Sequence, residues 1–331
     1  MYAKKLRKQA IYQLIREQHE KYNWPIDWMC QKLEIARSAY YKWLNHKPSK
    51  HEVEDQYLTD RIIAIANSNN SLFGAGKMML ELNKTLSEGE SRYGHNRVAR
   101  IMCINGIRCS VARYNKPRRP NKPSGNETAE NILNRDFNAS APNEKWGIDI
   151  TEVTAPRVSK KAYLATMIDL YDKSPVGYAI SDHNDVALVQ KAIDAAFEAN
   201  PNAHPLIHSD RGFQFTRKPF KVYLKNHGAT QSMSRVSHCI DNAPVEGWQG
   251  RIKDIRNTLF PHVHNYEELV ESIHKAIKYY IESDPQKRFG GKTAGEVRAE
   301  ALAGKVYSYP IPKNNRIIKY WAKINAKKQK E

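Results

Sequence analysis

The chain contains few cysteines and no long apolar run. Only four of its 331 residues are cysteine, and Cys30, Cys103, Cys109 and Cys239 lack the close spacing of a zinc ribbon or a disulfide scaffold. This usage fits a reducing cytoplasm. No stretch reaches the roughly 18 apolar residues of a membrane span. Because no apolar segment follows the basic N-terminus, we expect no secretory signal.

Acidic residues are scarce relative to basic ones. The chain has 53 Lys and Arg against 35 Asp and Glu, which gives a formal net charge of +18 and an isoelectric point near 9.6. Such a protein attracts polyanions, most commonly nucleic acid. A protein that is basic without a nucleic-acid partner remains the alternative, because net charge alone is a weak indicator of partner class.

Residues 1–50 are predicted to form a helix-turn-helix-like segment. Short helices near 24–33 and 37–44 are joined by about three residues, and the second is rich in Arg, Tyr and Lys. An ordinary helical hairpin is the alternative, since the turn lacks the glycine often found there. The expected DNA contacts are Arg37, Tyr40 and Lys42.

Residues 53–112 are predicted to form a second helical, DNA-binding segment, with Lys77 and Arg97 as expected contacts. The run Gly74-Ala-Gly-Lys is not a phosphate loop, because it lacks the required spacing and a preceding strand. Residues 113–137 contain proline, glycine and basic residues without apolar periodicity, which indicates a linker. The basic tail, 301–331, fits a DNA contact and a frayed terminus equally well.

Residues 138–300 have the pattern of a mixed-sheet α/β domain. Strands are predicted near 146–153, 162–170, 176–180 and 204–210, with an amphipathic helix near 185–197 and further helices near 217–226, 243–259 and 266–281. Strands that surround a helix in this order are typical of a core with a mixed sheet.

Three acidic residues stand out by their context. Asp149 lies within a strand between two isoleucines, where an isolated charge is costly. Asp210 follows an apolar run at the end of a predicted strand, and Glu246 lies one turn into a predicted helix. Oxygen ligands suit Mg²⁺, and two such ions about 3.5–4 Å apart support phosphoryl transfer. On this evidence the competing carboxylates are those of Asp169, Asp172, Asp194 and Asp241.

These residues carry a family resemblance. Thirty-five residues lie between Asp210 and Glu246, and the runs His208-Ser-Asp-Arg-Gly-Phe-Gln-Phe and Asp241-Asn-Ala-Pro-Val-Glu flank that interval. Together with the run around Asp149, they resemble the integrase core of DDE transposases of the insertion-sequence three family, specifically the second open reading frame product. The resemblance covers nearly the whole chain.

The resemblance implies an α/β RNase H-like catalytic core, a mixed five-stranded sheet with helices, preceded by all-α helix-turn-helix-type segments. It implies that Asp149, Asp210 and Glu246 are the catalytic residues and the ligands of two Mg²⁺ ions, with Mn²⁺ as a substitute. The implied reactions are cleavage of the element ends and attack of the freed 3′-OH on target DNA. Lys253 matches a basic position seven residues after Glu246 on the same helix face.

The resemblance also implies partners: terminal-repeat and target DNA, a second copy of the chain, and an upstream-frame product carrying a helix-turn-helix and a coiled coil. We expect the protein in the bacterial cytoplasm, associated with the nucleoid. Arg235 is a further expected phosphate contact, and Asp241 and Asn242 are expected to cap the helix of Glu246. The alternatives are a nuclease on the same fold that never joins strands and a non-catalytic DNA-binding relative.

Overall fold

The computed structural model of the chain describes residues 2–87, 89–111, 129–216, 218–235 and 239–311. The chain separates into two compact units, one ending at Asp60 and the next beginning at Arg61. Most of the predicted linker and of the basic tail lies outside the described residues. Within the described ranges, no helix is both long enough and apolar enough to cross a membrane.

The first unit begins with helices α1 (Tyr2–Tyr22), α2 (Ile26–Lys32) and α3 (Arg37–Leu44). The predicted pair of short helices is therefore present. Glu34, in the turn between α2 and α3, has a φ of 54°, so this residue takes the left-handed conformation that glycine often supplies. The buried members of the core are Tyr12, Ile15, Met29, Cys30 and Tyr40.

Three more helices precede the sheet: α4 (Lys50–Ser68), α5 (Ala75–Lys84) and α6 (His95–Ile104). Both α5 and α6 begin after a glycine in extended conformation. Met78, Leu82 and Val98 on these two helices are fully buried. Helices therefore form where the apolar periodicity of residues 53–112 predicts them.

A five-stranded sheet forms the centre of the second unit. Its strands are β1 (Lys145–Ala155), β2 (Val158–Asp169), β3 (Pro175–Ser181), β4 (Leu206–Ser209) and β5 (Thr230–Met233), in the spatial order β3-β2-β1-β4-β5. The β1–β2 and β2–β3 pairs are antiparallel, whereas β4 pairs in parallel with both β1 and β5. The sheet is thus mixed and five-stranded, as expected.

The strand pattern located four of these strands individually, and the fifth emerged only from the structure. β5 is four residues long, which is too short for an alternating pattern to distinguish it from a loop. It is nevertheless required, because it covers the outer edge of β4 with parallel hydrogen bonds.

The remaining helices are α7 (Val186–Ala199), α8 (Lys218–Asn226), α9 (Ala243–Leu259), α10 (Tyr266–Ser283) and α11 (Ala294–Leu302). Asp185 caps α7 by accepting a hydrogen bond from the Leu188 N–H at 2.9 Å. Gly177 lets α7 approach the sheet, since a Cβ there would lie 2.4 Å from the carbonyl oxygen of Ala192. The main core between helices and sheet is built on Trp146, Ile148, Ile193 and Ile207.

Candidate active site

The fold brings Asp149, Asp210 and Glu246 to one edge of the sheet. Asp149 is in β1, and the parallel pairing of Ile148 with Ser209 places the end of β4 beside it. Asp210 is the first residue after β4. Glu246 is in the first turn of α9. Sites in α/β sheets gather at such strand ends.

A glycine allows α9 to approach β1. A Cβ added at Gly147 would lie 2.5 Å from a side-chain methyl of Val245, the residue before Glu246. Any larger residue at position 147 would therefore push the first turn of α9 away from Asp149. Pro244 in the first turn of α9 is well suited to the start of a helix, because its fixed φ is helical and its missing N–H has no partner there anyway.

The three carboxylates interact electrostatically. Burial, together with the charges of Asp210 and Glu246, raises the pKa of Asp149 to about 8, although the Ile150 N–H and Lys253 oppose the shift. Burial also raises the pKa of Asp210. Negative charge at this edge is thus incompletely compensated by the protein.

This charge pattern suits a divalent cation. All three side chains are half-buried, and their oxygens are the ligand type that Mg²⁺ prefers. In the described residues, however, no group of three or more His, Cys, Asp or Glu side chains is arranged to hold a metal ion. The carboxylates converge without closing into a coordination shell, and a bound cation would favour their ionised forms.

Two family models match the chain. The integrase core domain matches residues 139–239, a range that contains Asp149 and Asp210 and ends shortly before Glu246. An HTH-like domain matches residues 52–115. The matched ranges thus correspond to the sheet domain and to the helices before it.

Curated relatives extend this likeness along the chain. InsK of Escherichia coli K12, assigned as the transposase of insertion sequence element IS150, is 32% identical over 288 residues, covering 86% of this chain and 96% of InsK. The chain belongs to the insertion-sequence transposases. The transposase is also 29% identical to InsF of the E. coli insertion sequence IS3A over 68% of its own length and 77% of that protein. It is 28% identical to the transposase of IS904 from Lactococcus lactis, over 71% and 89% of the two chains.

Solved structures show a more distant likeness. The HTLV-2 integrase catalytic core domain, determined in complex with magnesium, is 19% identical, covers 48% of this chain and 97% of its own, and gives a TM-score of 0.39. The simian T-cell lymphotropic virus intasome in complex with the PP2A subunit B56 gamma is 13% identical, covers 76% of this chain and 78% of its own, and gives a TM-score of 0.44.

His208 lies in β4, the strand that leads to the acidic edge formed by Asp149, Asp210 and Glu246. It is 1% exposed, and its ring nitrogens lie 2.9 Å from the Ser232 hydroxyl and 3.1 Å from the Ser234 hydroxyl. Burial lowers its pKa to about 4, so the ring is neutral at pH 7. His208 therefore joins β4 to the end of β5 and is not positioned as a cation.

Asp241 does not cap α9, contrary to the prediction from sequence. It is fully buried and accepts hydrogen bonds from the Arg235 backbone and guanidinium at 3.0 Å, from Arg135 at 2.5 Å and from Asn131 at 3.1 Å. These donors lower its pKa although burial opposes the shift. Asn242 occupies the N-cap position without a side-chain capping bond.

The Asp241 cluster also determines where Arg235 lies. The Arg235 side chain is 43% exposed, and its Nε lies 3.0 Å from a carboxylate oxygen of Asp241. The guanidinium therefore has a structural partner, and the phosphate contact expected of Arg235 stays a prediction. Because Arg135 and Asn131 precede β1, the cluster ties the segment before the sheet to the loop that leads into α9.

One expected DNA contact lies in the protein interior, and another is half-buried and bound to an internal carboxylate. Tyr40 is 1% exposed and packs against Tyr12 in the core of the first unit, so it leaves no surface for DNA. Lys77 donates to both carboxylate oxygens of Asp284 at 2.6 Å. Both residues lie on short amphipathic helices, where sequence alone did not show which face is buried.

The other expected contacts remain at or near the surface. Arg37 is 59% exposed, lies 3.4 Å from Asp27 and stacks over the Tyr41 ring. Lys42 is exposed on the same helix, whereas Arg97 and Lys253 are half-buried. Lys253 lies near enough to the acidic edge to lower the pKa of Asp149.

The structure adds supporting residues that sequence reasoning missed. Gln214 is buried in the loop after Asp210 and donates to the side-chain amide oxygen Oδ1 of Asn184 at 2.6 Å. Arg211 donates to the Ser234 carbonyl at 2.7 Å. Both belong to the run that begins at His208, so the motif contained them, but their partners lie too far along the chain for spacing to indicate them.

Proposed function

We propose that Asp149, Asp210 and Glu246 are the catalytic carboxylates of this transposase and the ligands of two Mg²⁺ ions, for which Mn²⁺ can substitute. The observation that supports the assignment is the convergence of three half-buried carboxylates, of which Asp149 has a pKa raised by burial and by the charges of Asp210 and Glu246. They lie at the edge of an integrase-type core in a chain that belongs to the insertion-sequence transposases.

In this proposal the carboxylates hold the ions on a rigid frame. Asp149 comes from the central strand, Asp210 from the end of its parallel neighbour and Glu246 from a helix packed on β1. Bound ions would activate the attacking oxygen and stabilise the leaving oxygen of a phosphodiester. The same geometry serves water in end cleavage and a 3′-OH in strand transfer, because both are in-line displacements at phosphorus.

The basic residues outside the site bind the DNA. In this proposal Lys253 contacts a phosphate near the acidic edge, and Arg37, Lys42 and Arg97 contact DNA from the helical segments. Terminal repeats and target DNA are the proposed ligands, and their affinity should fall steeply with salt. Since two ends must be joined, we propose at least a dimer on DNA, assisted by an upstream-frame partner and located at the nucleoid.

A strand-transfer assay tests this function. The purified chain is mixed with Mg²⁺ and a labelled duplex carrying the terminal sequence of its own element. Joined products that require Mg²⁺ and vanish in Asp210→Asn support the proposal. The matched control is Glu152→Gln, on the same strand as Asp149 but exposed and paired with Lys161 at 3.1 Å.

The remaining outcomes distinguish the alternatives. Cleavage without joining would identify a nuclease on the same fold. Binding without cleavage, unchanged by adding the upstream-frame product, would identify a non-catalytic DNA-binding protein. Wild-type strand transfer by Asp210→Asn would remove Asp210 from the ligand set.

A further inference from the structure

A buried carboxylate outside the acidic edge joins two parts of the second unit. Asp284, directly after α10, is fully buried. Lys77 donates to both of its oxygens at 2.6 Å, and Arg251 donates through Nε at 3.0 Å and through Nη2 at 2.6 Å. Gln286 adds a hydrogen bond at 3.0 Å. Lys77 and Arg251 thus each contact both carboxylate oxygens of Asp284.

The two cations come from different functional regions. Lys77 is on α5, within the HTH-like match at residues 52–115. Arg251 is on α9, five residues after Glu246. Asp284 therefore connects the helices assigned to DNA binding with the helix that carries a proposed catalytic residue.

The geometry of this cluster points to positioning and away from DNA contact. Burial lowers the pKa of Lys77 to about 8 although Asp284 opposes the shift, and the two cations lower the pKa of Asp284. Buried ion clusters are a weak source of stability, but each partner must keep its place once the charges are desolvated. Lys77 thus orients α5 relative to α9.

Other contacts on the same face offer a natural control. Lys84, two turns further along α5, pairs with Glu296 at 2.7 Å, but both side chains are about half-exposed. Such a surface pair holds its partners loosely because water competes for both charges. Helix α5 therefore makes one ion pair with a fully buried carboxylate, Asp284, and one exposed ion pair, with Glu296.

We propose that Asp284 is a positioning residue: through Lys77 and Arg251 it fixes the distance between the DNA-binding helix α5 and Glu246. The proposal rests on the function assigned above. A transposase must cleave at a defined phosphate, so the surface that holds the terminal DNA and the carboxylates that act on it must move as one body. A misplacement of about 1 Å can cost about a hundredfold in rate.

The test compares Lys77→Met and Lys77→Arg with the control Lys84→Met. For each full-length variant we would measure affinity for the terminal duplex, the single-turnover cleavage rate at saturating DNA, and the phosphate at which cleavage occurs. Lys77→Met is expected to keep DNA affinity within about twofold, to lose about tenfold or more in rate and to spread cleavage over neighbouring phosphates. Lys77→Arg should restore the single cleavage position, and Lys84→Met should behave as wild type.

Two results would overturn the proposal. One is a Lys77→Met variant that cleaves at the wild-type phosphate with the wild-type rate. The other is a variant that loses DNA affinity while its rate at saturation is unchanged, because Lys77 would then be a DNA contact.

Hydrogen exchange separates failure of this proposal from failure of the proposed function. If the wild-type chain does not cleave at all, the function is wrong, but the link between α5 and α9 is still measurable. Faster amide exchange in both α5 and the first turns of α9 in Lys77→Met, absent in Lys84→Met, supports the positioning role. Exchange that matches wild type in both helices contradicts it.

Discussion

The aspartates of the acidic edge and those of the two arginine clusters have opposite environments. Asp149 and Asp210 have pKa values raised by burial, and in Asp149 neighbouring carboxylates add to the shift. Asp241 and Asp284 are buried more completely, yet arginines and a lysine lower their pKa values. Aspartate side chains thus occur in two different electrostatic environments within the second unit.

The difference teaches how to distinguish a binding site from a structural one. At Asp241 and Asp284, cations of the protein contact the carboxylate closely enough to favour its ionised form although burial opposes it. At Asp149, burial and neighbouring carboxylates outweigh the effect of Lys253, and an external cation would relieve this electrostatic penalty. Of the acidic residues that compete by sequence, Asp241 has two arginines. Asp169 and Asp172 share Arg298, and burial still raises the pKa of both, so a raised pKa alone does not mark a binding site.

The largest expected effect is on activity at the acidic edge. Asp149→Asn should lower strand transfer by about a thousandfold or more, equivalent to about 4 kcal/mol in the activation free energy. It should not lower the free energy of unfolding in metal-free buffer, because it removes a repelled charge. Strand-transfer rates and urea titrations of the same preparation check both. If Asp149→Asn were inactive because it is unfolded, Asp149 would be a structural residue, which would contradict its contrast with Asp241 and Asp284.

The next effect is on stability at an arginine cluster. Asp241→Asn should lower the free energy of unfolding by about 2–3 kcal/mol, because it removes a buried negative charge that two guanidinium groups contact. The figure is at the low end for buried pairs because Arg235 is about half-exposed. Urea unfolding measures the change, and a loss below that of an exposed pair would show that the cluster is not structural.

The Asp241 cluster should also make the stability of the wild type depend on pH. Asp241 has a folded-state pKa below its ordinary value of 3.8. Its contribution is therefore present above about pH 4 and is lost as the pH falls through the folded-state value. The wild type should lose more unfolding free energy than Asp241→Asn between about pH 5 and pH 2. Parallel acid limbs for the two proteins would show that Asp241 is not held ionised by its arginines.

The smallest effect is expected at the exposed end of β1. Glu152 lies three residues from Asp149 but on the opposite face, and its partner Lys161 is about half-exposed. Glu152→Gln should change the free energy of unfolding by less than about 1 kcal/mol and leave strand transfer unchanged. A clear loss of strand transfer would show that Glu152, which is outside the proposed ligand set, also contributes to the site.

Much of the architecture follows from local pattern. Alternation predicts β1 to β4, and amphipathic periodicity predicts α7, α9 and α10 close to their observed positions. The run around Asp149 and the interval between Asp210 and Glu246 single out the three carboxylates. The burial of Tyr40 and the pairing of Lys77 with Asp284 were not predictable, because a short helix has apolar and basic residues on faces that only packing can assign.

The sequence by itself indicated the family and most of the elements and singled out three acidic residues as candidates, because these depend on spacing along the chain. The tertiary structure alone decided which charges are compensated. Arg135 meets Asp241 across 106 residues, and Lys77 meets Asp284 across 207. Electrostatic energy depends on distance in space and on exclusion of water, and neither quantity is contained in spacing along the chain.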